Sequence, residues 1–382
     1  MKVSFILSGN VDYEAFEKGY IGGTEYQVWG LSKEIIRKGH EVLVISGCNK
    51  EAGITLLNGI NIVKIKIPIK NTNFRVSPLK ALFSRIFFSR MARLSIEKIN
   101  PDFIFMTEPL SSYFISTVNI PKAFITHNFP YGMLRFFLNT NCLVKSGLSL
   151  LEKMETNVLL NSNIVIALNK AIERFLLLKG LNKVLTIPNG VEIDNNIKPY
   201  DGGYILYGGR LSPEKGVLYL LQAYKKLCEE ERISQKLIIV GSGPQEYLLK
   251  QYARSIKGRV VFIPWLTKPN FMKVLARCSI YVLPSLYECS PVSLLEAMSF
   301  RKPVIASDVP GSQDVINHEY NGFLFKARDI NKLKEYLKLL ILNPDLGHKI
   351  GQNAFETILK KYTFEKIAER YINLIERIIR HE

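Results

Sequence analysis

A pattern that occurs twice constrains the fold of this chain more than any other feature: a short apolar strand, a glycine-rich loop and then a helix. Near the amino terminus, the strand at 2–8 precedes a loop with Gly22 and Gly23, and a helix follows. In the second half, the strand at 203–207 precedes the glycine-rich segment 208–216, and again a helix follows. Strands that alternate with helices in this way predict an α/β fold with doubly wound parallel sheets.

The length of the chain suits two such sheets. At 382 residues the chain is long for one hydrophobic core and fits two domains of ordinary size. The segment at 192–203 is rich in Asn, Asp, Gly and Pro and is the natural linker. We therefore expect one domain over 1–192 and a second over 203–363, followed by an amphipathic helix over 364–382.

The net positive charge of the chain indicates which class of binding partner to expect. The 51 Lys and Arg residues outnumber the 34 Asp and Glu residues, which gives a formal net charge of +17 and favours anionic partners. No nucleic-acid partner is predicted, because charge is its only support and no recognition helix or aromatic RNA-binding motif accompanies it. No apolar window of the length of a membrane span occurs, and the five cysteines lack metal-ligand spacing. We expect a reducing, cytoplasmic setting.

Two segments are compatible with contact with a membrane surface, and each also has another interpretation. Residues 74–94 combine Lys and Arg with Phe, Leu and Ile at helical spacing, which is typical of a helix that lies on an anionic lipid surface at the inner face of the cell membrane. The same pattern fits a domain helix with an apolar core face and solvated arginines. The aromatic segment 129–150 allows three interpretations: a wall of an acceptor pocket, a membrane contact, or internal packing.

Two carboxylates stand eight positions apart in the stretch 283–311. Glu288 follows a strand in a loop, and Glu296 lies within the next helix, for which Ser290 is the predicted N-cap and Pro291 the first residue. With Glu288 ahead of the helix, both side chains can face the carboxyl edge of the sheet, where open α/β sheets bind ligands. The alternative is a pair of unrelated surface glutamates.

Two cations follow the strand at 203–207. Arg210 and Lys215 lie in the loop between this strand and the next helix, where they are well placed to clamp a diphosphate by charge-assisted hydrogen bonds. Gly241 and Gly243 follow the strand at 236–240, and glycines at a strand tip expose their backbone to a ligand.

The stretch around the two glutamates resembles the signature of the retaining glycosyltransferases of family 4, which have the GT-B fold of two facing Rossmann-like domains. Their hallmark is two Glu residues with seven between them, then a small-residue helix and a "kPVIAs" strand, and Glu288 and Glu296 match it. Arg301 stands where the family has Gly after that helix. A Cys-Ser-Pro sequence after Glu288 replaces a glycine-rich loop, so the sequence leaves the donor sugar open.

The resemblance covers the second domain almost throughout and the first domain in patches. It implies a GT-B fold in which the first domain binds the acceptor and the second binds the nucleotide sugar. It also implies that the helix over 364–382 crosses back and packs on the first domain.

The resemblance also assigns roles residue by residue. It implies that Arg210 and Lys215 neutralise the donor diphosphate, that Glu288 binds hydroxyls of the donor sugar, and that Glu296 binds the ribose. His127, at the tip of the strand at 122–126, would lie beside the reacting sugar. The remaining donor-binding positions are Gly22, Gly23, Gly209, Gly241, Gly243, Ser290, Pro291 and Val292.

We therefore predict a retaining, metal-independent hexosyltransferase. It would move a hexose from a UDP-, GDP- or ADP-sugar to an acceptor hydroxyl, with a lipid-linked or membrane-surface glycan preferred. No Asp-x-Asp sequence occurs, and we expect neither a metal nor a cofactor, because fixed cations and helix N-termini can stabilise a diphosphate. The alternatives are a GT-B phosphorylase or epimerase and a non-catalytic nucleotide-sugar binding protein.

Overall fold

The chain divides into two compact units. The computed structural model describes residues 1–10, 19, 22–48, 51–57, 59–67, 78–127, 142–256 and 258–381. The first unit consists of Met1–Glu17, Gly22–Pro188 and Ile367–Glu382, and the second of Lys18–Ile21 and Asn189–Lys366.

Each unit is built on a largely parallel sheet. The described strands of the first unit are β1 (Lys2–Asn10), β2 (Glu41–Cys48), β3 (Gly53–Leu57), β4 (Ile60–Lys66), β5 (Phe103–Met106), β6 (Lys122–Ile125), β7 (Ile164–Ala167) and β8 (Val184–Thr186). Those of the second unit are β9 (Tyr204–Gly208), β10 (Lys236–Val240), β11 (Val260–Ile263), β12 (Ile280–Leu283), β13 (Val304–Ser307) and β14 (Phe323–Phe325). Their orders are β3-β4-β2-β1-β5-β6-β7-β8 and β11-β10-β9-β12-β13-β14. Within these described strands, β3 and β4 pair antiparallel and the other neighbours pair parallel.

Helices connect the strands, as the alternating pattern of the sequence predicts. In the first unit they are α1 (Gly23–Arg37), α2 (Pro78–Ile99), α3 (Pro109–Ser112), α4 (Cys142–Leu160) and α5 (Lys170–Leu178). In the second unit they are α6 (Val217–Glu230), α7 (Glu246–Ala253), α8 (Lys268–Leu275), α9 (Val292–Ser299), α10 (Pro310–Gln313), α11 (Ile330–Leu342) and α12 (Pro344–Lys361). The last helix, α13 (Phe364–His381), begins in the second unit and belongs to the first from Ile367 on.

Strand β9 shows why the second sheet is buried on both faces. Ile205 and Tyr207 point into one apolar cluster, which α6, α7 and α11 complete. Leu206, the residue between them, points into a second cluster with α8, α9 and α12. Strands covered on both faces are typical of parallel sheets, because the crossover helices pack on each side. The α/β prediction of doubly wound sheets is confirmed.

The terminal helix α13 packs by the amphipathic face that the sequence predicts. Ile367, Ala368 and Ile375 are buried, and the ring of Tyr371 meets the ring of Phe105 edge-on, with centroids 5.2 Å apart. Polar contacts flank this face, including a hydrogen bond of 2.6 Å from the Arg370 guanidinium to the backbone carbonyl of β8. Burial of these aliphatic and aromatic side chains is what fixes the helix in the first unit.

Helix α2 has both an apolar core face and an exposed basic and apolar face, the two features that the alternative interpretations of residues 74–94 require. Ala81, Phe88, Ala92 and Ile96 are buried in the core of the first unit. A second stripe of side chains, spaced by three or four residues and therefore on one face, is exposed; it consists of Lys80, Phe83, Phe87, Arg90, Met91, Leu94 and Lys98. We call these seven residues the exposed α2 stripe.

The prediction of solvated arginines on this helix is wrong in part. Arg85 is mostly shielded and pairs with Glu108 at 3.3 Å. Arg93 pairs with Glu97 at 2.8 Å and donates to the Thr117 hydroxyl. The charge of the exposed α2 stripe therefore comes from other residues of the helix. Residues 74–77 and 129–141 lie outside the described residues, and so do the side chains of 142–148.

The start of α9 differs from the prediction. The helix begins at Val292, and Pro291 precedes it with an extended ψ of 102° and without a side-chain cap. Ser290 is therefore not the N-cap. Its hydroxyl oxygen instead accepts a hydrogen bond from the backbone N–H of Asn189 at 3.1 Å, so a long-range contact replaces the predicted local one.

The end of α9 explains the departure at Arg301. The N–H of Arg301 bonds to the Met298 carbonyl and that of Lys302 to the Ala297 carbonyl, which is the hydrogen-bond pattern of a Schellman motif. Arg301 occupies its left-handed position with φ 56°, where glycine is usual. The guanidinium lies 3.9 Å from the centroid of the Phe355 ring, and this cation–π contact offsets part of the backbone strain.

This geometry gives a stability prediction at Arg301. Arg301→Ala keeps the left-handed strain and loses the contact with Phe355, whereas Arg301→Gly loses the contact but relieves the strain. We expect Arg301→Gly to be more stable than Arg301→Ala by about 1 kcal/mol and to lie within about 0.5 kcal/mol of the parent. Urea denaturation of the three proteins measures these differences. An alanine variant as stable as the glycine variant would contradict the strain.

Candidate active site

The predicted ligand-binding edge of the second sheet lies where the strand order reverses. Strand β10 lies on one side of β9 and β12 on the other, so the chain leaves these neighbouring strands in opposite directions. In open α/β sheets a crevice forms at such a point, beyond the carboxyl ends of the strands. The loops after β9 and β12 carry Arg210, Lys215 and Glu288.

Backbone contacts fasten these two loops to each other. The N–H of Leu286 donates to the carbonyl of Glu214 at 2.8 Å. Gly216 ends the turn at Pro213–Lys215 in the left-handed region, with φ 64°, and a Cβ atom there would lie 2.1 Å from the carbonyl oxygen of Pro284. Only glycine satisfies both conditions, so the close approach of the loops is built into the sequence.

The loops also meet through a shielded ion pair. The Lys215 ammonium lies 2.6 Å from Oε1 of Glu288, and the Ser285 hydroxyl donates to the same oxygen at 2.7 Å. Glu288 is 8% exposed, so the pair is screened little by water. Among the described residues, none donates a hydrogen bond to the second oxygen, Oε2.

Lys215 stays charged in this pair. Burial by itself lowers the pKa of the Lys215 ammonium, but the attraction and hydrogen bond of Glu288, together with Glu214, outweigh it, and the net pKa is raised. The site therefore holds a lysine and a glutamate that neutralise each other. The sequence predicts both residues in the site but not their contact.

Glu296 is bound in a similar way by a lysine that sequence reasoning missed. It is 2% exposed, and its Oε1 accepts a hydrogen bond from the ammonium of Lys268, at the start of α8. Burial raises the pKa of the Glu296 carboxyl, and Lys268 opposes part of that rise. No local sequence signal marks Lys268, because the pair depends on how α8 packs beside α9.

The two glutamates share one neighbourhood. Burial mainly raises the pKa of the Tyr281 phenol on β12, and the carboxylates of Glu296 and Glu288 both add to that rise. The neutral phenol donates to the carbonyl of Gly208 at 3.2 Å. Glu288 and Glu296 are also both buried, so the interpretation of two surface glutamates is wrong, while their joint role in one site stays a prediction.

Arg210 differs from the two lysines. Its side chain is exposed, and within the described ranges no carboxylate forms an ion pair with it. Its backbone carbonyl accepts a hydrogen bond from the Tyr207 hydroxyl at 2.9 Å, which fixes the loop but leaves the guanidinium to solvent. Arg210 is therefore the source of net positive charge in the loop after β9.

The glycines at the strand tips pack against the chain itself. A Cβ atom on Gly241 would lie 1.9 Å from the Gly209 carbonyl, and one on Gly243 would lie 2.3 Å from the Leu211 carbonyl. The loops after β9 and β10 therefore touch through backbone, which explains these glycines without a ligand. Their predicted contact with a donor stays a prediction.

The junction before the second sheet supports the loop after β12. Besides the bond from its N–H to Ser290, Asn189 donates from its side-chain amide to the Ser290 carbonyl at 2.9 Å. Both residues are buried. Asn189 thus holds the segment between Glu288 and α9 from two sides, a structural role that sequence reasoning did not assign to it.

The predicted site residues of the first unit lie at the ends of its own strands and helices. Gly22 is the N-cap of α1 without a side-chain cap, and a Cβ on it would meet the Glu25 carboxylate at 2.3 Å, whereas Gly23 has open space. His127 follows β6, and its Nε2 is buried without a hydrogen-bond partner among the described residues.

Neither a metal cluster nor a membrane helix is found in the part of the chain that the structure describes. No three His, Cys, Asp or Glu side chains of these residues converge on one point. None of the helices in the described ranges combines the length and the hydropathy that crossing a bilayer requires.

Comparisons with known proteins show the family of the chain. The family "Glycosyl transferases group 1" matches residues 191–357, and "Glycosyltransferase Family 4" matches residues 21–195. An uncharacterized glycosyltransferase of Methanocaldococcus jannaschii is 24% identical over 93% of this chain and 94% of its own length.

Two further proteins extend the comparison. An Escherichia coli UDP-Gal:alpha-D-GlcNAc-diphosphoundecaprenol alpha-1,3-galactosyltransferase is 30% identical over 50% of this chain, a match that spans 55% of the relative. The structure of a sucrose-phosphate synthase from Thermosynechococcus elongatus superposes with a TM-score of 0.80 at 19% identity, with all of both chains covered. This likeness concerns the fold.

Two parallel-sheet units with this structural likeness define the GT-B fold, and the two family matches define a glycosyltransferase. The chain belongs to glycosyltransferase family 4, whose two matched regions together extend over residues 21–357. The sequence-based recognition of the family, of the GT-B fold and of glycosyltransferase activity is thereby confirmed.

The buried imidazole of His127 gives a pH prediction. Burial lowers the pKa of His127 from 6.5 to about 4, so the ring is neutral near pH 7. Because the unfolded chain binds this proton first, stability should fall as pH drops from about 6.5 to about 4. NMR titration of the ring, assigned with a His127→Gln variant, measures the midpoint. A midpoint near 6.5 would contradict the burial.

Proposed function

We propose that this glycosyltransferase moves a hexose from a nucleotide-diphosphate sugar to an acceptor hydroxyl, with retention of configuration and without a metal ion. The observation that carries the proposal is the pair of Lys215 and Glu288 at the carboxyl edge of β9 and β12, with the exposed Arg210 in the same loop as Lys215. This edge offers a fixed cation for a diphosphate beside a carboxylate oxygen for sugar hydroxyls.

Arg210 is the proposed main ligand of the diphosphate. Lys215 adds little net charge because Glu288 neutralises it, whereas Arg210 is exposed and carries the excess. A guanidinium presents five N–H donors in a fork that fits phosphate oxygens. Lys215 has three N–H donors, so it can bind a phosphate oxygen with one of them while it keeps Glu288.

The second oxygen of each glutamate is the proposed acceptor of substrate hydroxyls. Glu288 uses Oε1 for Lys215 and Ser285, and Glu296 uses Oε1 for Lys268. Oε2 of each glutamate can then accept a hydrogen bond from a substrate hydroxyl. At Glu288 this hydroxyl belongs to the donor sugar, and at Glu296 it belongs to the ribose. The N-terminus of α9 has no side-chain cap, so the backbone N–H groups of Ser290 and Val292 can donate to the donor, and Pro291, which has no N–H, shapes the turn between them.

The proposed reaction needs no protein nucleophile. The acceptor hydroxyl attacks the anomeric carbon on the face from which the diphosphate departs, and its bond to that carbon forms as the carbon–phosphate-oxygen bond breaks. The departing phosphate oxygen takes the acceptor proton. Catalysis then consists of stabilising the charge that develops on the diphosphate. Roles for Gly22, Gly23 and His127 in this reaction stay predictions.

A lipid-linked glycan is the proposed acceptor class. The name of the Escherichia coli relative gives UDP-galactose as its donor and a sugar on diphosphoundecaprenol as its acceptor. The exposed α2 stripe supports a similar setting here: Phe83 is 64% and Leu94 47% exposed, beside cations that complement anionic headgroups. We propose that this stripe rests on the membrane surface, where such an acceptor is found.

A donor panel tests the enzyme and the role of Arg210 together. UDP-, GDP- and ADP-sugars are supplied with and without EDTA, and release of free nucleoside diphosphate is measured. We expect turnover of one nucleotide class, unaffected by EDTA, and a loss of at least about a hundredfold in Arg210→Ala. Arg232→Ala, a change of another exposed arginine in the same unit, is the matched control.

Three outcomes of the panel would contradict the proposal. No release of nucleoside diphosphate, together with sugar 1-phosphate formed from a glycan and added inorganic phosphate, would indicate a phosphorylase. Loss of turnover with EDTA would exclude the metal-independent reaction, and near-parental turnover of Arg210→Ala would exclude the clamp. Lys215→Ala is the poorer test variant, because it leaves the shielded Glu288 without its counter-ion. This change is expected to lower the free energy of unfolding by about 3–5 kcal/mol.

Membrane binding has a separate test. The double change Phe83→Ser and Phe87→Ser should weaken co-sedimentation with phosphatidylglycerol vesicles at least about tenfold, because each exposed Phe contributes roughly 1.5–3 kcal/mol when it enters lipid. Leu177→Ser with Leu178→Ser removes two exposed apolar residues from α5 and is the matched control. Equal binding of both double variants would exclude the stripe as the membrane contact.

A further inference from the structure

Lys268 occupies an unusual position beside one of the two glutamates. It is the first residue of α8, and its ammonium binds Oε1 of Glu296. The pair is largely shielded from water, since the lysine side chain is 24% and the glutamate side chain 3% exposed. Its backbone is held as well, because its N–H donates to the carbonyl of Gly19 at 2.8 Å. A lysine held by backbone and side chain offers a fixed charge rather than a mobile one.

The Gly19 contact requires glycine. Gly19 has φ 82°, and a Cβ atom on it would lie 3.0 Å from Cδ of Pro269 and 3.4 Å from Cβ of Thr267. Gly19 belongs to the second unit although it follows β1 in the sequence. The start of α8 is thus fixed from outside the helix, and the direction in which Lys268 leaves it is fixed too.

Glu296 needs such a charge. Its helix neighbours Leu294, Leu295, Ala297 and Met298 are fully buried, and burial favours the neutral carboxyl. The groups of described residues whose charge or dipole acts on it are Lys268 from α8 and the phenol of Tyr281 from β12. Because the phenol is neutral, Lys268 is the cation that opposes this effect.

We propose that Lys268 is a positioning residue for the ribose of the nucleotide: it holds Glu296 ionised and oriented through Oε1, so that Oε2 accepts a ribose hydroxyl. This role rests on the proposed function, which gives Glu296 the ribose. A carboxylate accepts hydrogen bonds from both hydroxyls of a ribose, whereas a protonated carboxyl must donate with one oxygen. Lys268 therefore sets how strongly the site distinguishes a ribonucleotide from its 2′-deoxy form.

The coupling of Lys268 to Glu296 is tested without a ligand. Removing Lys268 leaves burial to raise the pKa of Glu296 further above its unfolded value. A carboxyl with a raised folded pKa binds a proton that the unfolded chain does not, so stability falls as pH rises toward the folded pKa. The stability deficit of Lys268→Gln relative to the parent should therefore grow as pH rises above the ordinary titration range of a carboxyl.

Three variants make this test specific. Lys268→Arg keeps the charge and should show no such growth. Lys273→Gln removes an exposed lysine from the same helix and should be independent of pH. In a Glu296→Gln background the deficit of Lys268→Gln should no longer depend on pH. Denaturant titrations at each pH measure all of these, and a deficit that is flat with pH in the Glu296 parent would overturn the coupling.

The ribose role is tested with UDP, GDP, ADP and their 2′-deoxy forms. Calorimetry on the full chain should show the parent binding one of the three diphosphates about tenfold or more tightly than its deoxy form, as expected for a hydrogen bond to a charged group. Lys268→Gln should lose most of this ratio while Glu296 stays protonated and regain part of it as rising pH ionises Glu296. Lys268→Arg should keep it.

Each result separates the ribose role from the proposed function. If the parent binds none of the three diphosphates, both the donor site and the ribose role are overturned. If the parent binds and prefers the ribonucleotide, but Lys268→Gln keeps the same ratio at every pH, only the role of Lys268 is overturned. A uniform loss of affinity for ribo and deoxy forms also overturns it, since that result indicates a merely structural lysine.

Discussion

The pair between Lys215 and Glu288 is the interaction on which the rest of this site depends. It joins the loops after β9 and β12 at the point where the strand order reverses, and it sits where water screens it little. Shielded ions are expensive to desolvate, and their mutual attraction offsets that cost only with good geometry and further hydrogen bonds. Ser285 supplies such a bond to Glu288. The backbone bond between Leu286 and Glu214 supplies the geometry.

Glycine makes this geometry possible at the level of the backbone. The loops after β9, β10 and β12 approach so closely that a side chain at Gly216 or Gly241 would overlap a carbonyl oxygen of the neighbouring loop. Three loops in backbone contact form a rigid edge, and a rigid edge holds charged side chains in fixed positions before a ligand arrives. The glycine-rich character of these segments is therefore explained by packing of loop on loop. It serves a ligand indirectly, through the side chains that the loops fix.

Much of the fold and half of the site chemistry could be predicted from the sequence, because these depend on local patterns. Strand–loop–helix alternation identifies the sheets, and the spacing of Glu288 and Glu296 places both at one sheet edge. The partners of those glutamates could not be predicted, since Lys268 precedes Glu296 by 28 positions and nothing in its neighbourhood marks it. Ser290 failed as a cap for a related reason: a hydrogen bond to Asn189, 101 positions away, replaces the local bond. Strand β3 was also missed, because its apolar Ile54 and Leu56 lie exposed at a sheet edge and give no pattern of burial.

The distribution of charge decides how an anion is recognised here. The chain carries a formal charge of +17, yet both lysines that contact the glutamates are neutralised, Lys215 by Glu288 and Lys268 by Glu296. The surplus near the site reduces to Arg210, while Lys80, Arg90 and Lys98 are exposed on α2. Under the proposed function, Arg210 binds the diphosphate, and Glu288 and Glu296 accept substrate hydroxyls, which a simple polyanion lacks. An unpaired cluster of lysines would attract any polyanion, so pairing each lysine with a glutamate is what would make such a site select anions that carry hydroxyls.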